Sequence, residues 1–155
     1  MAEASSENFV FPSEPLLLAG EVTKGFGRGS KDLGCPTANL PQSEVDKIQN
    51  SYPTGVYWGW ATLDDKEPVY PMVMSIGYNP FYDNKTKTAE VHILHDFDGD
   101  FYGEMLRIAI LGFWRGMKNY EGVDALIADI ENDKKVAREE LAKPENTSRK
   151  HLALP

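Results

Sequence analysis

Between Leu16 and Trp114 the chain is a succession of short apolar runs, each closed by turn residues, and no stretch of helical period separates them. Leu16, Leu17, Leu18 and Val22 open the first. Thr54 to Leu63 is rich in aromatic and β-branched residues and ends at Asp64-Asp65. Pro71 to Tyr78 ends at Asn79-Pro80. Glu90 to Leu94 puts Val91 and Ile93 on one side and Glu90 and His92 on the other, and Met105 to Trp114 is the longest apolar run. Parallel strands need a crossover of a dozen or more residues, usually a helix, between neighbours. The pattern therefore excludes a βαβ sheet and predicts a mainly β domain, an antiparallel sheet that closes or folds on itself.

One helix is predicted after the strands. Val123, Leu126, Ile127, Ile130, Ala137 and Leu141 recur at three- and four-residue spacing with Asp, Glu and Lys between them. Lys134, Lys135 and Arg138 suit the negative end of its dipole, and Pro144 stops it. Its apolar stripe is expected to pack on the sheet from outside. No repeat or long linker interrupts the chain. Residues 1–15 are expected as a disordered tail, residues 16–142 as one domain, and the polar residues 143–155 as a loose tail.

Composition narrows the function. Among 155 residues, 16 Lys and Arg against 24 Asp and Glu leave a net charge of −8. Such a chain is a poor ligand for a phosphate backbone, which argues against a nucleic-acid partner. No apolar run reaches the length of a membrane span. The first eight residues lack the cationic start and apolar core of a signal peptide, and Cys35 is the only cysteine. The expectation is a cytoplasmic protein without disulfides.

Residues 20–40 carry the densest chemistry. Gly25, Gly27, Gly29 and Gly34 allow close backbone approach to a ligand, successive amides can form an anion nest, and Arg28 and Lys31 add cationic donors. The spacing fits neither a P-loop, because Cys35-Pro36 follows Gly34, nor a dinucleotide fingerprint. From these residues alone the loop reads equally as a structural turn or a phosphate cradle, and Arg28 as a local clasp. Pro36-Thr-Ala-Asn39 then places a hydroxyl and an amide carbonyl two apart on one side of an extended segment. These are hard oxygen donors suited to a hydrated magnesium ion. The alternative is that Thr37 and Asn39 bond their own backbone in a turn.

Together, residues 20–40 resemble the opening signature of riboflavin kinases. The resemblance continues in order through Thr54 to Trp60, Met74 to Pro80, Glu90 to His95, Asp100 to Gly103 and Phe113 to Arg115. It is to the monofunctional, eukaryote-type enzyme. The resemblance implies a closed six-stranded antiparallel barrel with a C-terminal helix packed outside. It implies transfer of the ATP γ-phosphoryl group to the 5′-hydroxyl of riboflavin, giving FMN and ADP, by a monomer. It also implies a divalent ion, Mg²⁺ with Zn²⁺ or Mn²⁺ as alternatives, held by Thr37 and Asn39.

Further roles follow from the same resemblance. Glu90 is the general base. Gly25, Lys31, Thr37, Asn39, His95 and Tyr102 bind nucleotide, and Trp114 and Arg115 bind the flavin. Without it, a lone strand glutamate is an ordinary solvated residue, and Tyr102 an ordinary rim aromatic. His92 and His95, three apart on a strand, lie on opposite faces and cannot chelate one ion there; His92 shares the Glu90 face. The chain departs from the family pattern at Gly116-Met117, where many relatives carry proline and glutamate. The carboxylate that would meet the flavin edge is replaced by a thioether. The rival functions are a flavin or nucleotide binder without catalysis, and a nucleic-acid-binding barrel.

Overall fold

The computed structural model describes residues 9–22, 37–48, 51–78, 87–95, 103–117 and 122–155. Six strands form one antiparallel sheet: β1 (Leu16–Glu21), β2 (Thr37–Asn39), β3 (Gly55–Leu63), β4 (Lys66–Tyr78), β5 (Lys87–Ile93) and β6 (Met105–Arg115). Their spatial order is β1-β6-β3-β4-β5-β2. The helices are α1 (Gln42–Asp46), α2 (Val123–Leu141) and α3 (Pro144–Thr147), and a 3-10 turn spans Lys150–Ala153.

Alternation along the strands produces two apolar faces. The inner face of the curled sheet gathers Leu18, Tyr57, Met72, Met74, Ile76, Val91, Ile93, Leu106, Ile108 and Ile110, with Ala38 and Val45. The outer face carries Val56, Trp60, Val73, Leu94, Ala109 and Leu111, in one cluster with Ala137 and Leu141 of α2 and with Ala153. The aromatic residues of β3 thus split by parity: Tyr57 faces inward, whereas Trp58 and Trp60 belong to the outer cluster. Asp64 and Asp65, with φ of 54° and 56°, turn the chain from β3 into β4. This is the mirror-image turn whose twist suits a two-residue hairpin, and aspartate tolerates it.

The expected closed barrel is an open, curled half-barrel. β1 and β2 stand at the two edges, and no pairing joins them among the described residues. The reason is local. β2 has three residues, and α1 follows directly. Glu44 of α1 accepts the edge N–H of Ala19 at 3.0 Å, so a side chain takes the place of a ladder partner. Gly20 lies against Pro41, whose ring would meet a Cβ there at 2.6 Å.

Residues near both ends of the described chain pack on the sheet. Phe9 meets Phe113 edge-to-face with centroids 5.2 Å apart, and Phe11 and Tyr52 complete an aromatic group around Tyr57 at one end of the inner core. Residues 143–155 pack against β3. The Trp60 indole donates to the Asn146 carbonyl at 2.9 Å, and the Thr62 hydroxyl to the Ala153 carbonyl at 2.6 Å. Lys150 stands over the Trp60 ring, 4.8 Å from its centroid. Backbone carbonyls of this segment thus satisfy two buried side-chain donors.

Candidate active site

On β5 the buried residues Ala89, Val91 and Ile93 alternate with the half-buried Glu90 and His92. The latter two therefore face outward. Directly opposed residues of paired strands share a face, so the register traces one row across the outer side. Asn39 of β2 stands opposite Glu90, Glu90 opposite Ser75 of β4, Ser75 opposite Val56 of β3, and Val56 opposite Arg115 of β6. The row begins at a metal-ligand candidate, passes through the candidate base, and ends at the flavin candidate. Glu90 and Arg115 are three strand spacings apart, about 14 Å of backbone.

Next to this row lies a second, in which Thr37 holds the register position opposite His92, and His92 opposes Val73. Thr37 and Asn39 are thus two apart on a paired strand, not in a turn. Asn39 is buried. Gly25, Lys31 and Tyr102, together with Arg28, lie outside the described residues. His95 follows the end of β5, exposed, with its ring 4.7 Å from that of Tyr70. Among the described residues no group of three or more His, Cys, Asp or Glu is placed to hold a metal ion. The oxygen donors of the Thr37–Asn39 pair are of another kind, suited to a hard cation that keeps water and phosphate ligands.

Burial, and after it the charge of Lys134 on α2, lowers the pKa of His92 to about 4. A histidine depressed in the folded state leaves stability unchanged above its ordinary value near 6.5. Below that pH the unfolded chain takes up a proton that the folded chain refuses, and the penalty saturates near pH 4. Between these limits the wild type is expected to lose about 1–3 kcal/mol through this group. His92→Gln should show a shallower fall in melting temperature between pH 6.5 and 4.5. Identical pH profiles for both proteins would remove His92 from this role.

The other end of the row depends on a bulge. Val56 opposes Arg115 while Tyr57 opposes Phe113, so Trp114 is an extra residue on β6. Bulges re-aim side chains. Here Phe113 stays in the inner aromatic group while Arg115 turns outward to α2. Its Nε and NH2 donate to Oδ1 and Oδ2 of Asp133 at 2.9 and 2.8 Å, and NH1 donates to the Gly116 carbonyl at 3.1 Å. The Trp114 indole N–H reaches the same Asp133 Oδ1 at 3.1 Å. Asp129, one turn earlier on α2, lies 3.9 Å from Arg115. Met117 is exposed, and its Cε is 3.9 Å from where a Cβ on Gly77 would stand.

Asp133 escaped the sequence reading, yet a signal was present. The helix stripe runs Leu126, Ile130, Ala137, Leu141, and position 133 falls within it. A carboxylate at an apolar position of an amphipathic helix is buried and needs a cationic partner.

Comparison with known proteins shows the family of the chain. The family described as Flavokinase: Riboflavin kinase matches residues 12–141. The chain is 46% identical over 134 residues to riboflavin kinase of Mus musculus, covering 86% of each. It is 49% identical over 142 residues to riboflavin kinase of Pyricularia oryzae, covering 82% of this chain and 71% of that one. Among solved structures, riboflavin kinase from Trypanosoma brucei superposes with a TM-score of 0.70 at 31% identity, covering 89% of this chain and 87% of that one.

Proposed function

The chain belongs to the riboflavin kinase family, whose members phosphorylate riboflavin to FMN at the expense of ATP, and we propose that it does so along the outer-face row from Asn39 to Arg115. The nucleotide end is the Asn39 side. Thr37 and Asn39 would hold Mg²⁺, which when bound neutralises phosphate charge. Gly25, Lys31 and Tyr102 take their nucleotide roles from the family resemblance, and His95 stands at the end of the same strand as Glu90. The flavin end is the Arg115 side, where Trp114 and Arg115 offer an indole and a planar cation.

Glu90 lies between the two ends and accepts the proton of the riboflavin 5′-hydroxyl. As that proton leaves, O5′ forms a bond to the γ-phosphorus and the bond to the β,γ-bridging oxygen breaks, releasing ADP. Most of the rate comes from holding nucleophile and phosphoryl group in line, which a rigid sheet row is suited to do. The observation that carries this reading is the register pair Asn39–Glu90, which sets the metal-ligand candidate and the proton acceptor side by side.

At the flavin edge the carboxylate common among relatives is missing, so stacking, Arg115 and backbone groups carry the ring. We assign the protein to the cytoplasm, as a monomer without a nucleic-acid partner. Among the described residues no helix is long and apolar enough to cross a membrane.

Incubation with ATP, Mg²⁺ and riboflavin, followed by chromatography, tests the reaction. FMN and ADP should appear in equal amounts. A folded protein that binds riboflavin but forms no FMN would instead be a flavin binder.

A further inference from the structure

The flavin end of the row converges on one carboxylate that does not belong to the sheet. Asp133, its side chain 7% exposed, accepts two hydrogen bonds from the guanidinium of Arg115 and one from the indole of Trp114. These are adjacent residues at a bulge, where Trp114 stands opposite no residue of β3 and Arg115 pairs with Val56 just past it. A bidentate carboxylate fixes the plane of a guanidinium, so that its flat face and not its N–H edge is what it presents. The third bond fixes the indole against the same group. Packing alone does not require a carboxylate here, because an apolar residue would continue the helix stripe at lower desolvation cost.

Resting on the assignment of Trp114 and Arg115 to the flavin, we propose that Asp133 is a positioning residue for riboflavin. It joins the indole and the guanidinium into one preset surface and makes flavin affinity depend on the seating of α2 against β6. It does not touch the nucleotide end, so its removal should separate the two substrates.

The test is riboflavin titration by fluorescence quenching at fixed MgADP, alongside calorimetric titration of MgADP, on the full chain. Asp133→Asn keeps the shape and removes the charge. Riboflavin Kd is expected to rise on the order of tenfold, with MgADP Kd within about twofold of wild type. Adding Asp133→Asn to Arg115→Ala should weaken riboflavin little beyond Arg115→Ala alone, because the carboxylate acts through the arginine. Asp133→Glu retains the charge one methylene further out and covers the case in which Asp133→Asn does not fold; it too should bind riboflavin less tightly. Unchanged riboflavin affinity in a folded Asp133 variant, or full additivity in the double variant, would overturn this role while leaving the kinase reading intact. A wild-type protein that binds no riboflavin would overturn both.

Discussion

Glu90→Gln is expected to fold as the wild type does, to bind MgADP and riboflavin, and to turn over about 10² to 10⁴ times more slowly, the usual worth of a positioned base. Glutamine keeps the size and the outward position of the side chain on β5, between Asn39 and Ser75. It loses the negative charge and with it the capacity to take a proton. A primary alcohol is a weak nucleophile, so that loss falls on the chemical step rather than on binding. Turnover should be read as FMN formed under saturating substrates, with thermal melting as the control for folding. Near wild-type turnover in a protein of unchanged stability would show that the proton goes elsewhere.

Deleting residues 144–155 is expected to have the largest effect on stability. The Trp60 indole and the Thr62 hydroxyl lose their acceptors, the carbonyls of Asn146 and Ala153. Water takes the place of each acceptor once the cover is gone, so each lost hydrogen bond costs about 0.5–1.5 kcal/mol. The outer cluster also loses Ala153 and the cover of Leu152. Together with the cation over the Trp60 ring, the loss should amount to roughly 3–6 kcal/mol and lower the melting temperature by about 10 °C or more. Differential scanning calorimetry of the shortened chain measures this. A fall of only a degree or two would mean that the segment rests on β3 without supporting it.

That segment also shows where sequence patterns end. Strand runs and the long helix were legible because side-chain periodicity reports which face is buried, and β3, β6 and α2 lie close to where the alternation and the 3.6-residue stripe place them. Residues 143–155 have no such stripe. Two backbone carbonyl groups, which every sequence possesses, help to hold them, and Lys150, Leu152 and Ala153 are too few to make a period. Phe9 and Phe11 were visible as apolar residues, but a pair two apart in a polar tail has too little period to be assigned to a core. The open edge between β1 and β2 depends on a three-residue strand and on one glutamate caught by an edge amide, neither of which has a periodic signature.

The candidate site was legible in a different way. Alternation alone separated Glu90 and His92 from Val91 and Ile93. The spacing of Thr37 and Asn39 placed them on one side of an extended segment. That these groups lie in adjacent rows with Arg115 depends on inter-strand register, including the bulge at Trp114, and register is a property of the whole sheet. Asp133 needed the question asked in reverse: why an apolar stripe holds a charge.

The central claim is that one outer-face row holds nucleotide at one end and flavin at the other, and crossed titrations of two variants test it most directly. Asn39→Ala should weaken MgADP by about tenfold and leave riboflavin within about twofold, while Arg115→Ala should do the reverse. Both measurements use folded protein and need no turnover. If both variants weakened the same ligand, or if neither altered either one, the row from Asn39 through Glu90 to Arg115 would not be the substrate site.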